Sequence, residues 1–246
     1  MILSASNINF SYKNQKILNS VTISVPEKSF ICLTGPNGAG KSTLLHYLFK
    51  NGTIDGKHFS SPKERAKTIA FMGQSESSIW DYSVRDFVLM GRYCHTNNSG
   101  IYSQNDYMVT DSVLKQVQIS NLADKSINSI SGGEFQKVRI ARCLAQEPKF
   151  LLLDEPVASL DFSYQEEIIA ILKNLCETEN TGILISIHDI NLAARFADTL
   201  ALLPKLSPLI MGTVEEIFTP ENLKKTYGSD FKIFNHPVYN CLQTCI

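Results

Sequence analysis

The sequence predicts an α/β protein built on a largely parallel sheet, and three observations carry that prediction. Continuous apolar runs of strand length recur at 30–34, 68–72, 150–153, 182–187 and 200–203, the mark of strands buried on both faces. Helical spacing of apolar residues separates them, as at Leu44, Leu45, Leu48 and Phe49, or at Ile168, Ile169, Leu172 and Leu175; such alternation builds βαβ units. Polar chemistry follows the strands: a glycine-rich loop after the first buried run, then Gln74, then Asp154 with Glu155, then His188. Ligands of α/β sheets sit beyond the carboxyl ends of the strands, so these four features converge on one crevice.

Taken in order, residues 1–30 read as short strands, with Ile8, Phe10 and Tyr12 alternating, then Val21, Ile23 and Val25 before Pro26. The first buried run leads into Gly35-Pro36-Asn37-Gly38-Ala39-Gly40-Lys41-Ser42-Thr43, which matches the phosphate-binding pattern G-x-x-x-x-G-K-[ST]. In that pattern backbone N–H groups turn inward around phosphates and the helix N-terminus adds positive potential. Lys41 would reach the terminal phosphates and the Ser42 hydroxyl would ligate Mg²⁺.

After the strand at 68–72 the pattern turns helical. Val84, Phe87, Val88 and Met90 suggest one helix and Val109, Val113, Leu114 and Val117 another, with a polar loop from Cys94 to Asn105 between them. This helical insert has no Pro/Gly-rich linker at its edges and is expected to pack on the main body. Ser131 and Glu134 have capping-box spacing at the start of the next helix, which begins on Gly132 and Gly133. The strand at 150–153 ends in Asp154 and Glu155, adjacent acids that could hold a cation and deprotonate water, or simply cap a helix beginning near Ser159. A helix with Glu166 and Glu167 near its start follows, where acids suit the dipole. The strand at 182–187 ends at His188-Asp189, and a helix runs through Leu192 and Phe196 to the strand at 200–203. Thr213 with Glu216 is a possible capping box, and Thr219-Pro220 starts a helix that stops at Gly228.

Composition narrows the function classes. The chain has 246 residues, 43% of them hydrophobic and 19% charged, with a formal net charge of -1. That balance gives no support to a nucleic-acid partner. No apolar run approaches the roughly 20 residues of a membrane span, and the first residues lack the basic start of a signal peptide. Six cysteines are scattered without metal-ligand spacing. Cys32, Cys143 and Cys176 read as small buried side chains, and the usage fits a reducing cytoplasm. Cys241 and Cys245 read as two thiols on a frayed tail, with a redox or metal pair as the alternative.

With these residues in view, the chain resembles the ATP-binding subunits of ATP-binding-cassette (ABC) transporters over nearly its whole length. Ile130-Ser131-Gly132-Gly133-Glu134 looks like the family signature, with isoleucine in place of the usual leucine, and phosphate loop, signature and acid pair occur in the family's order. The resemblance implies a P-loop NTPase fold with a RecA-like mixed-sheet core at 1–74 and 130–246. It also implies a small antiparallel β region and an α-helical subdomain inserted at 75–129, all in one ATPase domain.

It further implies ATP and Mg²⁺ as cofactors. Tyr12 would stack on adenine, with a strand aromatic in the core as the lesser alternative. Asp154 would help hold Mg²⁺, Glu155 would act as general base, Gln74 would contact metal and water, and His188 the γ-phosphate. Ser131, Gly132 and Gly133 would grip ATP held on a second protomer, and Ser159-Leu160-Asp161 resembles the loop that communicates across that dimer, with Asp161 among the nucleotide-contacting residues. Implied partners are a second copy, two integral-membrane permease subunits and, indirectly, an extracytoplasmic substrate-binding protein. The implied location is the cytoplasmic face of the inner membrane.

The segments from Val84 to Tyr93, from His188 to Asp198 and from Thr219 to Leu223 are similar to importers of iron–siderophore, haem and cobalamin. Leu89-Met90-Gly91-Arg92-Tyr93 also resembles manganese and zinc importers. A soluble ABC ATPase without a membrane partner is the rival of a different class, and a catalytically dead regulatory module is a third reading. The chain departs from the family between Phe49 and Lys63, where it is short, and at Pro204-Lys205-Leu206-Ser207-Pro208, where the usual Asp-Gly turn is missing.

Overall fold

A computed structural model describes residues 1–74, 80–97, 100–158 and 160–245. Its centre is a six-stranded sheet that follows from the apolar runs. The chain opens with β1 (Ile2–Tyr12) and β2 (Gln15–Pro26), an antiparallel pair longer than the short strands expected. Then come β3 (Phe30–Thr34), α1 (Lys41–Asn51), the two-residue β4 (Thr53–Ile54), α2 (Pro62–Thr68) and β5 (Ile69–Met72). The insert holds α3 (Val84–Leu89), a 3₁₀ turn from Met90 to His95, and α4 (Gln104–Gln116). The chain returns through α5 (Gly132–Leu144), β6 (Phe150–Leu153), α6 (Phe162–Thr178), β7 (Gly182–Ser186), α7 (Ile190–Phe196) and β8 (Thr199–Leu202). It closes with β9 (Ile210–Gly212), α8 (Val214–Ile217), α9 (Pro220–Tyr227), β10 (Lys232–Asn235) and β11 (Leu242–Cys245).

The main sheet runs β5-β6-β7-β3-β8-β9, parallel except for the edge strand β9. Strand periodicity of two splits its side chains cleanly. Phe30, Cys32, Leu151, Leu153, Ile183, Ile185, Leu200 and Leu202 point into one core, shared with the helices α3 to α7. Ile31, Leu33, Phe150, Leu152, Leu184 and Ala201 point into the other, with α1 and the β2-β1-β4 sheet. Leu44, Leu45 and Leu48 are fully buried there, each worth about 1.5–3 kcal/mol of transfer free energy, and they seat α1 behind the phosphate loop.

The insert shares the first of these cores: Val84, Phe87, Val88, Val113, Leu114 and Val117 lie with Ala70, Met72 and Val138. Gly91 makes that approach possible, since a Cβ there would lie 2.2 Å from the Arg142 carbonyl oxygen. Arg92, only 2% exposed, donates to Asp106 Oδ1 at 2.9 Å, to the Ala145 carbonyl at 2.7 Å and to Glu147 Oε2 at 2.7 Å. It thereby joins both insert helices to the end of α5.

Several expectations need correction. Thr68 ends α2 rather than starting a strand, and α2 itself has no buried residue to announce it. Cys94 and His95 close the 3₁₀ turn, and Gln104 and Asn105 already belong to α4, so the loop is shorter than read. Helix α6 is capped by Asp161, with no acid in its first turn. Glu166 and Glu167 sit further on and pair instead with Arg195 and Lys137. The C-terminal tail is not frayed: β11 pairs with β10. Cys241 directly precedes β11 and Cys245 ends it, so extended backbone separates them by roughly 13 Å, beyond the ~7 Å limit for a disulfide. Both capping boxes at Ser131 and Thr213 are formed, and Gly228 ends α9 in the left-handed conformation. Ser159 and residues 75–79, at the start of the insert, lie outside the described residues.

Candidate functional site

The crevice forms where the strands deliver their carboxyl ends. A cavity of about 480 Å³ is lined by Asn37, Gly38, Gly40, Lys41, Ser42 and Thr43 from the loop after β3, with Gln74, Glu155 and His188 from the ends of β5, β6 and β7. Ile17 of β2 closes one side. Thus the expected loop, glutamine, glutamate and histidine do meet.

The loop has the geometry of an anion cradle. Gly38 has φ 75° with nothing within 4 Å of a Cβ position, and Gly40 has φ 100° with a Cβ position 2.8 Å from Leu18 Cδ2. A side chain at either would be strained, and at Gly40 it would also strike the floor. Gly35 passes so close to β8 that a Cβ would sit 2.5 Å from the Leu203 carbonyl. The Ala39 N–H donates to the Pro36 carbonyl at 3.1 Å, and buried Ala39 anchors the loop. Lys41 folds back to donate to the Gly35 carbonyl at 2.9 Å. Its burial holds the ammonium below its ordinary value, against the opposing pull of Glu155 and Asp154. A desolvated lysine at a helix N-terminus facing open cavity suits a polyphosphate.

Opposite it, Glu155 is wired on every side. Its side chain is 8% exposed; Oε2 accepts from Gln74 Nε2 at 2.8 Å and Oε1 lies 2.6 Å from His188 Nε2. Its backbone stands at φ 51°, a costly state for a non-glycine residue. The Ser186 hydroxyl secures that turn, accepting from Glu155 N at 2.8 Å and donating to Asp154 Oδ1 at 2.8 Å. Asp154 is buried and, unlike Gln74, does not line the cavity; it offers a carboxylate oxygen and Gln74 an amide oxygen. With the Ser42 hydroxyl these are hard oxygen donors of the kind Mg²⁺ selects.

Tyr12 is not a core aromatic. It is 67% exposed and lines a neighbouring cavity of about 290 Å³ with Phe10, His46 and Tyr47, which shares Ser42 and Thr43 with the first. By contrast, Ser131, Gly132, Gly133 and Asp161 do not line the Lys41 cavity. Ser131 caps α5, its hydroxyl accepting from Glu134 N at 3.3 Å while Glu134 Oε2 accepts from Ser131 N at 2.8 Å. Asp161 caps α6, accepting from Tyr164 N at 3.0 Å.

Three contributors escaped the sequence reading. Ser186 had a usable signal: a lone hydroxyl inside the apolar strand β7 must find a partner. Thr34 is similar at the end of β3, where its Oγ1 shares a 2.6 Å hydrogen bond with the Tyr227 hydroxyl of α9. Burial pushes that phenol up to about 12. Arg139 of α5 donates to the Gly73 carbonyl and to Gln136, which in turn reaches the Pro156 carbonyl. Nothing in a run of α5 residues predicts that link between the signature helix and the loops bearing Gln74 and Glu155.

Comparisons with known proteins agree with this geometry. The profile of the ABC transporter family matches residues 18–158. The chain is 34% identical to the iron(3+)-hydroxamate import ATP-binding protein of Bacillus subtilis, over 97% of this chain and 92% of that one. It is 31% identical to the ferric enterobactin transport ATP-binding protein of Escherichia coli, over 96% of this chain and 90% of that one. Among solved structures it resembles a metal-chelate type ABC transporter in an inward-facing conformation, with TM-score 0.84 and 30% identity over 98% and 95% of the two chains. A bacterial ABC transporter cassette solved as a dimer matches with TM-score 0.73 and 26% identity over 87% and 99%. The chain therefore belongs to the ABC transporter family, as one of its ATP-binding, ATP-hydrolysing subunits.

Proposed function

We propose that this subunit energises import of a metal chelate of the iron–siderophore, haem or cobalamin type. The observation that carries the catalytic part is the meeting of Lys41 and Glu155 across one cavity, with Gln74 and His188 both on the Glu155 carboxylate. Similarity to hydroxamate and enterobactin import subunits supports the cargo class.

In this reading the residues from Gly35 to Thr43 cradle the phosphates, Lys41 neutralises the terminal ones and Tyr12 stacks on the base. Ser42, Asp154 and Gln74 would hold Mg²⁺, which supplies charge neutralisation on the phosphates. Glu155 takes the proton of the attacking water, and His188 contacts the γ-phosphate and keeps the carboxylate aimed. Ser131, Gly132 and Gly133 serve the nucleotide of a second copy, and Asp161 carries contact across that interface. The pair would sit on two membrane permease subunits at the cytoplasmic face, fed by an extracytoplasmic binding protein. No helix among the described residues is long and apolar enough to cross a membrane.

The test is ATPase measurement on the assembled transporter with binding protein loaded with each candidate chelate. Stimulation by a ferric siderophore, haem or cobalamin supports the reading; stimulation by free manganese or zinc alone overturns the cargo class.

A further inference from the structure

His188 is held from two directions. Its ring meets Glu155, and its backbone leads directly into α7, whose cap Asp189 accepts from Asn191 N at 2.8 Å and Leu192 N at 3.1 Å. Helix α7 has only seven residues, too few to hold a helix without outside support. Leu192, Ala193 and Ala194 give part of that support by burial in the core, and the rest comes from the far end of the chain. Asn191 Nδ2 donates to the Thr244 carbonyl at 3.0 Å, and Asn191 Oδ1 accepts from Thr244 N at 2.7 Å. Gln243 Nε2 donates to the Asn191 carbonyl at 3.1 Å.

The amide of Asn191 thus pairs with Thr244 as a neighbouring strand would, one donor and one acceptor in one plane. Thr244 is itself fixed, buried on β11, paired with Ile233 and donating its hydroxyl to the Lys232 carbonyl at 3.1 Å. One turn along α7, the Arg195 guanidinium lies 3.5 Å from the Tyr239 ring centre. Aspartate at 191 would lose the donor, and alanine both partners.

We propose that Asn191 is a positioning residue for hydrolysis: it ties α7 to the C-terminal hairpin β10–β11 and so fixes the His188 imidazole against Glu155. The proposal rests on His188 acting at the hydrolytic step, and the test separates the two claims. In the full chain, Asn191→Ala is expected to lower kcat about tenfold while ATP affinity stays within about twofold, the pattern of a lost transition-state contact. In a His188→Ala background the same change should cost nothing further, because residues acting through one another are non-additive. The His188 ring C–H resonance, assigned by its loss in His188→Ala, should move in Asn191→Ala while those of His46, His58 and His95 stay in place. Wild-type kcat in Asn191→Ala, losses that multiply with His188→Ala, or an unmoved His188 resonance would overturn the positioning role. Wild-type kcat in His188→Ala would overturn the reading beneath it as well.

Discussion

Within the stretch 130–161, the two functional ends are built in opposite ways. The Glu155 end is finished inside the chain: a carboxylate in a strained backbone, braced by Ser186, Gln74 and His188, facing Lys41 across one cavity. The signature end is open. Ser131 and Gly132 are exposed, and a Cβ on Gly132 would meet nothing within 4 Å. One end spends its hydrogen bonds on internal order, and the other presents a helix start whose first N–H groups lack intrahelical partners. On the proposed reading, the exposed end would serve a nucleotide brought by another molecule, since Ser131, Gly132 and Gly133 do not line the cavity of this chain's own phosphate loop.

The largest effects should come from breaking the finished end. Glu155→Gln is expected to keep ATP binding and lower hydrolysis at least about a hundredfold, within the range for loss of a general base. Near-normal turnover by phosphate release would remove Glu155 from that role. Ser131→Arg should spare nucleotide binding by the isolated chain but abolish ATP-dependent dimer formation by sedimentation, separating the open end from the closed one. Next in size is the joint between insert and signature helix. Arg92→Ala leaves Asp106 buried without its cation and should cost about 3 kcal/mol in denaturant unfolding. Ser186→Ala removes one hydroxyl from the bracing of Asp154 and Glu155, at about 1–3 kcal/mol. A smaller catalytic loss than that of Glu155→Gln would mark it as bracing.

The smallest effect is a pH one. Hydrogen bonds from Ser131 N–H and hydroxyl hold the Glu134 carboxyl below its ordinary value. A carboxyl depressed by folding adds stability that is present above its unfolded value and lost as pH falls through the folded one. The α5 cap should therefore survive mild acidity and weaken below the ordinary glutamate range, near pH 4. Glu134→Gln should flatten that part of the stability profile, which equilibrium unfolding at several pH values reads.

Much of this was legible in the chain because the physics was local. Five apolar runs became the parallel strands, since burial on both faces favours apolar side chains and admits a hydroxyl such as Ser186 only where it finds a partner. The phosphate loop, both capping boxes and the αL glycine at 228 needed only neighbouring residues. What stayed hidden was either unpatterned or remote. Helix α2 had a start signal in Ser61, Pro62 and Glu64 but no apolar face to give it a period. The hairpin β10–β11 is short, and its hydrogen-bonded link to α7 runs through Asn191, some fifty residues before Thr244. At the site, residue types pointed to Lys41, Gln74, Glu155 and His188, which the fold brings to one cavity, whereas the supports, Ser186, Arg139 and Thr34, depend on which strand ends the fold brings together.

In the proposed function each nucleotide site is completed by a second copy. This is tested most directly by mixing two inactive variants, Lys41→Ala and Ser131→Arg. In the mixed dimer the phosphate loop and Glu155 of the Ser131→Arg chain face the intact signature of the Lys41→Ala chain, leaving one complete site. Mixing is expected to restore ATP hydrolysis that neither variant shows alone. Mixed dimers that form, bind ATP and remain as inactive as their parents would contradict this reading.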